Sequence, residues 1–249
     1  MRRFAVLSLF IGMPVQAADP LDGKAILVRA TEAAGGDAWA NARTLILRGR
    51  AVFWGKAGAK PTSAPDSYVM HRAFDPNRVA AHGAEGRVRI EVSDKGRRLW
   101  VVGYDGATTW TDKGVVPKDE ADRMWASNFG FGIIRHALKP GFVSERLADG
   151  NVDGHPTFTV RLTDPSGTES LFGIDTKSYA IRMVGFFTPR GWHVRTYDNF
   201  FRPKSMPKWL QAGKVTLTYN GVKQNEIHWT SVDVNAPMDN ALFAPPPRL

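Results

Sequence analysis

Residues 87–104 run Arg87-Val88-Arg89-Ile90-Glu91-Val92-Ser93-Asp94-Lys95-Gly96-Arg97-Arg98-Leu99-Trp100-Val101-Val102-Gly103-Tyr104, and their reading decides the fold class. From Arg87 to Val92 polar and apolar residues alternate without a break, the period of a strand with one wet and one dry face. Asp94-Lys95-Gly96 is a tight-turn sequence, and Arg97 to Tyr104 reads as the returning strand. Asp105-Gly106 turns the chain once more, into Ala107 to Asp112. The pattern recurs downstream in Thr157 to Thr163, Thr168 to Ile174, Tyr179 to Phe187, Trp192 to Tyr197, Lys214 to Tyr219 and a last strand near Ile227 to Val234. Turn signals such as Asp164-Pro165-Ser166-Gly167 and Asn220-Gly221 separate them, as in an antiparallel meander rather than a series of βαβ units. Roughly ten or more twisted strands cannot stay open and flat. The expected fold is therefore mainly β, a curved antiparallel sheet forming an unclosed half-barrel.

Two apolar segments are available to cover the concave face of such a sheet. Near the N-terminus, Ile26, Leu27, Ala30, Ala33 and Ala34 make one stripe at helical period, with Asp19 as cap, Pro20 in the first turn and Gly35-Gly36 as the stop. The second, residues 117–138, reads as helical pieces rich in large apolar groups, with Gly130 and Gly132 making its middle pliable. Arg202-Pro203-Lys204-Ser205-Met206-Pro207-Lys208-Trp209 holds two prolines and reads as a basic loop. Its mix of cations and rings suits an anionic membrane surface, and equally an ordinary loop beside core aromatics.

The chain has 249 residues, 43% hydrophobic and 23% charged, with a formal net charge of +9. Arg2 and Arg3 precede the apolar run Phe4 to Met13, and Pro14-Val15-Gln16-Ala17 ends in the small-residue pattern of a cleavage site. Residues 1–17 are thus expected to be a signal peptide cut after Ala17, leaving residues 18–249 as one exported domain. An apolar run that short does not span a bilayer. The sequence has no cysteine, which removes disulfides, thiolate ligands, thiol nucleophiles and any sulfur-linked lipid anchor.

Catalytic signatures are absent from the sequence. The six histidines are scattered over different elements with no HExxH pair, so no metal and no cofactor are expected. There is no GxSxG elbow, no phosphate-cradling loop and no complete dinucleotide fingerprint. Basic and aromatic residues from Trp192 to Lys214 would suit nucleic acid, but export makes that partner improbable.

In four places the chain resembles the outer-membrane lipoprotein-sorting superfamily, the Lol-type periplasmic carriers. These are the leader and first helix followed by Ala38 to Arg50; Val152-Asp153-Gly154-His155-Pro156 running to Leu162; Gly173-Ile174-Asp175-Thr176-Lys177 running to Arg182; and Val232-Asp233-Val234-Asn235-Ala236-Pro237 running to Pro245. The resemblance implies an unclosed barrel whose concave face, lidded by helices, holds acyl chains, with an arginine on an early strand latching the lid. Arg48 and Arg50 are the candidates for that latch.

The expected function is therefore a periplasmic carrier that shields the acyl chains of a lipid or lipidated protein, monomeric and not an enzyme. Strand phase nominates Leu45, Leu47, Phe53, Met70, Val88, Ile90 and Val101 for the cup, and Met124, Trp125, Phe129 and Ile133 for the lid. Two other classes remain open: a periplasmic sensor or interaction module on the same fold, and an enzyme whose ionisable groups converge in the cup.

Overall fold

The computed structural model describes residues 21–55, 58, 60–77, 80–81, 86–126 and 131–245. The leader, Asp19, Phe129 and Gly130 lie outside them. Helix α1 (Gly23–Ala34) and a short α2 (Asp37–Ala40) precede strands β1 (Thr44–Trp54), β2 (Pro61–Ser63), β3 (Ser67–Ala73), β4 (Arg87–Asp94), β5 (Arg97–Tyr104), β6 (Thr109–Thr111) and β7 (Gly114–Val115). Helix α3 (Lys118–Ala126) and a 3-10 turn (Phe131–His136) follow. The second run of strands is β8 (Val143–Arg146), β9 (Gly150–Val152), β10 (His155–Thr163), β11 (Glu169–Asp175), β12 (Ile181–Thr188), β13 (Gly191–Asp198), β14 (Lys214–Tyr219) and β15 (Val222–Val234), and a 3-10 turn (Asn240–Phe243) ends the described fold.

All 15 strands belong to one sheet, in the order β7-β6-β5-β4-β3-β1-β15-β14-β13-β12-β11-β10-β8, with β2 on β1 and β9 on β10. The sheet does not close: β7 and β8 are its two ends. The order has a simple logic. From β1 the chain meanders outward to β7, and from β10 a second meander works back to the centre, where β15 pairs with β1 from Leu45↔Val234 to Phe53↔Asn225. Residues 116–142 must therefore travel from one end of the sheet to the other. Of this stretch, α3 and the 3-10 turn lie over the concave side, where both line the cup.

The β1–β15 ladder has a bulge. Arg48 faces Ser231 and Gly49 faces Trp229, so Thr230 is the extra residue. Here β15 presses so close that a Cβ on residue 49 would run into the His228 carbonyl, which is why glycine stands there. Two register shifts nearby, in β14–β15 and β4–β5, add to the bending that curls the sheet.

Helix α1 begins one turn later than the sequence suggested. Asp22 is the cap, its carboxylate accepting from the Ala25 amide at 2.7 Å, and Gly35 at φ 141° ends the helix. Its buried stripe, Ile26, Leu27, Ala30 and Ala34, packs on β8 and β10. The basic loop at 202–209 is no free surface arm. The Arg202 guanidinium donates to the carbonyls of Lys208 and Pro207 at 2.5 and 3.3 Å, and to Ala33 at the end of α1 at 3.4 Å. Leu210 N–H donates to the Ala34 carbonyl, and Trp209 is fully buried. Lys204 and Lys208 are exposed, as is Arg202 despite these bonds.

The convex face is charged. Arg48 pairs with Asp233 at 2.6 Å across the β1–β15 ladder, and Glu226 gathers Lys223, Lys214 and His228. This corrects the latch assignment: Arg48 and Arg50 are both exposed on the face opposite Leu45 and Leu47, because the ladder alternates strictly along β1. Among the described residues neither borders the cavity.

Candidate ligand-binding cavity

Between the sheet and its helical cover lies a cavity of about 960 Å³. That is at the upper end of the roughly 300–1,000 Å³ usual for small-molecule sites. From β1 it is lined by the inward-facing Leu45, Leu47 and Phe53. One wall is aromatic. Phe53 and Trp100 meet edge-on at 6.2 Å, Tyr68 and Trp100 at 6.2 Å, and Tyr68 and Trp229 at 5.4 Å. Across from them Val215, Ile227, Ile181 and Tyr197 continue the lining, and Leu99 and Val115, both exposed large apolar residues, border the cavity near the β7 end.

The nominated residues fall as follows. Leu45, Leu47, Phe53, Met70 and Ile90 line the cavity from the sheet, and Met124 and Trp125 from α3. Val88 shares the face of Ile90 but lies beneath α3, buried against Ala121 and Trp125, so it is part of the lid's seat and not of the void. Ile133 is fully buried in the main core with Ile26 and Trp39. Val101 touches the cavity's edge from the wrong phase: its ladder partner is Glu91, and Trp100 and Val102 pair with Val92 and Ile90 on the cup's face. The Trp125 indole donates to the Thr109 hydroxyl at 2.7 Å, pinning α3 to the β6 strand.

Three arginines also line the cup: Arg72 on β3, Arg135 in the 3-10 turn and Arg195 on β13. Sequence reasoning missed all of them, since an arginine in an alternating strand reads as the wet phase. Arg72 follows Tyr68 and Met70 on the inward phase of β3, and Arg195 lies between His193 and Tyr197 on that of β13. Arg135 is caged by rings. Its guanidinium lies 4.9 Å from Trp39, 4.4 Å from Phe74 and 5.2 Å from Trp209, binding the crossover to α2, to the end of β3 and to the basic loop. Together with the Trp125–Thr109 bond it ties the crossover to the sheet, on a residue the sequence analysis did not nominate.

Tyrosines complete the polar inventory. Burial pushes the Tyr68 hydroxyl up to about 12, against an opposing pull from Arg195, and Tyr197 is raised by the same pair of influences. Both are neutral hydrogen-bond donors at ordinary pH. The carboxylates that border the cavity, Asp112 and Glu120, are exposed residues of the β6–β7 turn and α3. Among the described residues no group of three or more His, Asp or Glu is placed to hold a metal ion, and no helix is long and apolar enough to cross a membrane.

No family model matches the chain, and no curated protein matches it. Solved structures do. A LolA superfamily protein from Nitrosomonas europaea is 12% identical and superposes with a TM-score of 0.52, covering 90% of this chain and 98% of its own. An outer membrane lipoprotein-sorting protein domain from Vibrio parahaemolyticus is 14% identical with a TM-score of 0.48, over 87% of this chain and 95% of its own. A DUF1329 family protein from Desulfovibrio piger is 10% identical with a TM-score of 0.48, over 89% and 97%. At such identities the likeness is one of fold. The chain has a LolA-like fold, an open antiparallel half-barrel with helices across its mouth.

Proposed function

We propose that this LolA-like cup is a periplasmic carrier site for acyl chains, taking a lipid or the lipid moiety of a protein. One observation carries the reading: a lined cavity of about 960 Å³ beneath a helical cover, with an aromatic and aliphatic wall built from β1, β3, β4, β5 and β15. Each CH₂ removed from water contributes about 0.8 kcal/mol, so a 16-carbon chain gains roughly 13 kcal/mol before association costs of about 4–15 kcal/mol. The balance is that of a reversible carrier. Export through the leader at residues 1–17 puts the protein in the compartment where such cargo needs shielding, and the cover held by Arg135 gives the site a way to open.

The test is direct. Full-length protein expressed with its leader and purified without detergent is extracted with organic solvent, and the extract is analysed by mass spectrometry; the delipidated protein is then titrated with a neutral hydrophobic dye. Co-purifying acyl lipid and saturable dye binding near one per chain are expected. An empty extract together with no dye binding refutes the proposal.

A further inference from the structure

Resting on the reading that the cup takes an acyl chain, we propose that Arg195 is the receptor for an anionic head group, so that the site selects acidic amphiphiles over neutral ones of equal length.

Arg195 lines the cavity and differs from the arginines of the sheet that are paired with carboxylates. Arg48, Arg146, Arg161 and Arg182 each face a carboxylate. Arg195 points from the inward phase of β13 into the cavity, with Leu217 opposite it on β14 and Val184 on β12. Among the described residues no carboxylate and no carbonyl bonds to its guanidinium. A fixed cation among apolar groups is costly unless an anion meets it. Arg72 and Arg135 line the same cavity, so the interior is positive, while its acidic neighbours stay in water on the β6–β7 turn and α3. The charge pattern therefore runs inward from exposed carboxylates to enclosed guanidinium.

The surroundings suit an oxyanion. The planar fork of arginine matches carboxylate and phosphate alike. Tyr68 lines the cavity and its hydroxyl bonds to no other group among the described residues, so it is available as a second donor. Arg195 is near enough to influence both Tyr68 and Tyr197. From there the wall of Phe53, Trp100, Met70 and Ile90 offers the chain an apolar path. A head of this kind occurs on a free fatty acid and on a phospholipid, and the shared chemistry is a single-chain or multi-chain amphiphile with an exposed oxyanion.

Displacement of bound N-phenyl-1-naphthylamine, a neutral dye, from the delipidated full chain separates the possibilities. The competitors are hexadecanoate, hexadecyl phosphate and hexadecanol. The acids should displace the dye at concentrations roughly tenfold or more below that of the alcohol, since a charge-assisted bond of ordinary strength gives a factor of that order. Arg195→Gln should narrow the gap to about twofold or less while leaving hexadecanol unchanged, and Arg195→Lys should restore part of it. Preference for one acid over the other tells a fatty acid from a phospholipid head. Equal displacement by acid and alcohol in the unaltered protein overturns the Arg195 assignment and leaves the cup standing, and needs no variant. An acid preference that survives in Arg195→Gln overturns it too. If no competitor acts and the dye itself does not bind, the cup reading fails instead.

Discussion

Replacing Arg135 with methionine keeps the length of the side chain and removes its charge, and its cost follows from the rings around it. The guanidinium faces three of them, at 4.4, 4.9 and 5.2 Å. A cation–π contact is worth about 0.5–1 kcal/mol in water and about 2 kcal/mol or more when desolvated. One planar group cannot face three rings ideally, so about 2–3 kcal/mol in total is a fair expectation. For a domain of this size each kcal/mol moves Tm by about 2–4 °C, which gives a fall of roughly 4–12 °C. The rings come from α2, the end of β3 and the 202–209 loop, so the loss falls on the hold between crossover and cup. Dye entry, followed by stopped-flow fluorescence, should therefore quicken by about tenfold or more, a factor of ten corresponding to about 1.4 kcal/mol. Arg135→Lys, which keeps a cation but not the plane, should fall between. A Tm within about 1 °C of the unaltered protein in Arg135→Met, with an unchanged entry rate, refutes the claim that this residue clamps the cover.

Three other changes probe separate parts of the structure. Gly49→Ala drives a methyl group into the His228 carbonyl at the β1–β15 bulge and should destabilise by about 3 kcal/mol or more, read by urea denaturation. Val215→Trp fills the cavity from the β14 wall and should weaken dye binding by about tenfold or more with little loss of Tm; undiminished binding would show that the dye sits elsewhere. At Asp175 burial alone would raise the carboxyl, but the Ser178 and Lys177 amides and the Arg182 guanidinium, at 2.9, 3.0 and 2.7 Å, outweigh it and hold the group well below the usual carboxylate range. Because the folded pKa is depressed, this stability is complete above the unfolded value near about 4 and is lost as pH falls beneath it. Asp175→Asn should thus cost about 1–3 kcal/mol at pH 7, a penalty that shrinks when the urea titration is repeated at pH 3.

The strands were legible wherever alternation and turn chemistry agreed. Arg97 to Tyr104 and Lys214 to Tyr219 carry the bounds read from the sequence, and Arg87 to Val92 extends only to Asp94. Pairing was not legible. The β1–β15 ladder joins residues nearly two hundred positions apart, and no local pattern announces it. Phase failed in one place for a visible reason: Leu99-Trp100-Val101-Val102 is apolar at both phases, so alternation could not say that Trp100 and Val102, and not Val101, face the cup. On β1 the opposite held, since Arg48 and Arg50 alternate cleanly with the small and apolar inward residues, and their outward placement contradicts the latch role that the family resemblance implied. Arg72, Arg135 and Arg195 were hidden because binary patterning assigns a charge to water by default. Interior arginines are departures from that rule, and a ligand site is where such departures gather.

The account stands or falls on whether an acyl chain lies against the aromatic wall. Five of the eight tryptophans line the cavity, and two of these, Trp100 and Trp229, flank Tyr68 on the aromatic wall. Bromine atoms midway along a hexadecanoyl chain quench indole fluorescence on contact, so titrating such a chain into delipidated protein reports where it lies. Saturable quenching that is clearly reduced in Trp100→Phe/Trp229→Phe, with the fold intact by circular dichroism and the remainder carried by Trp39, Trp125 and Trp209, is the predicted result. Quenching of undiminished depth in that double variant, or none in the unaltered protein, would contradict it.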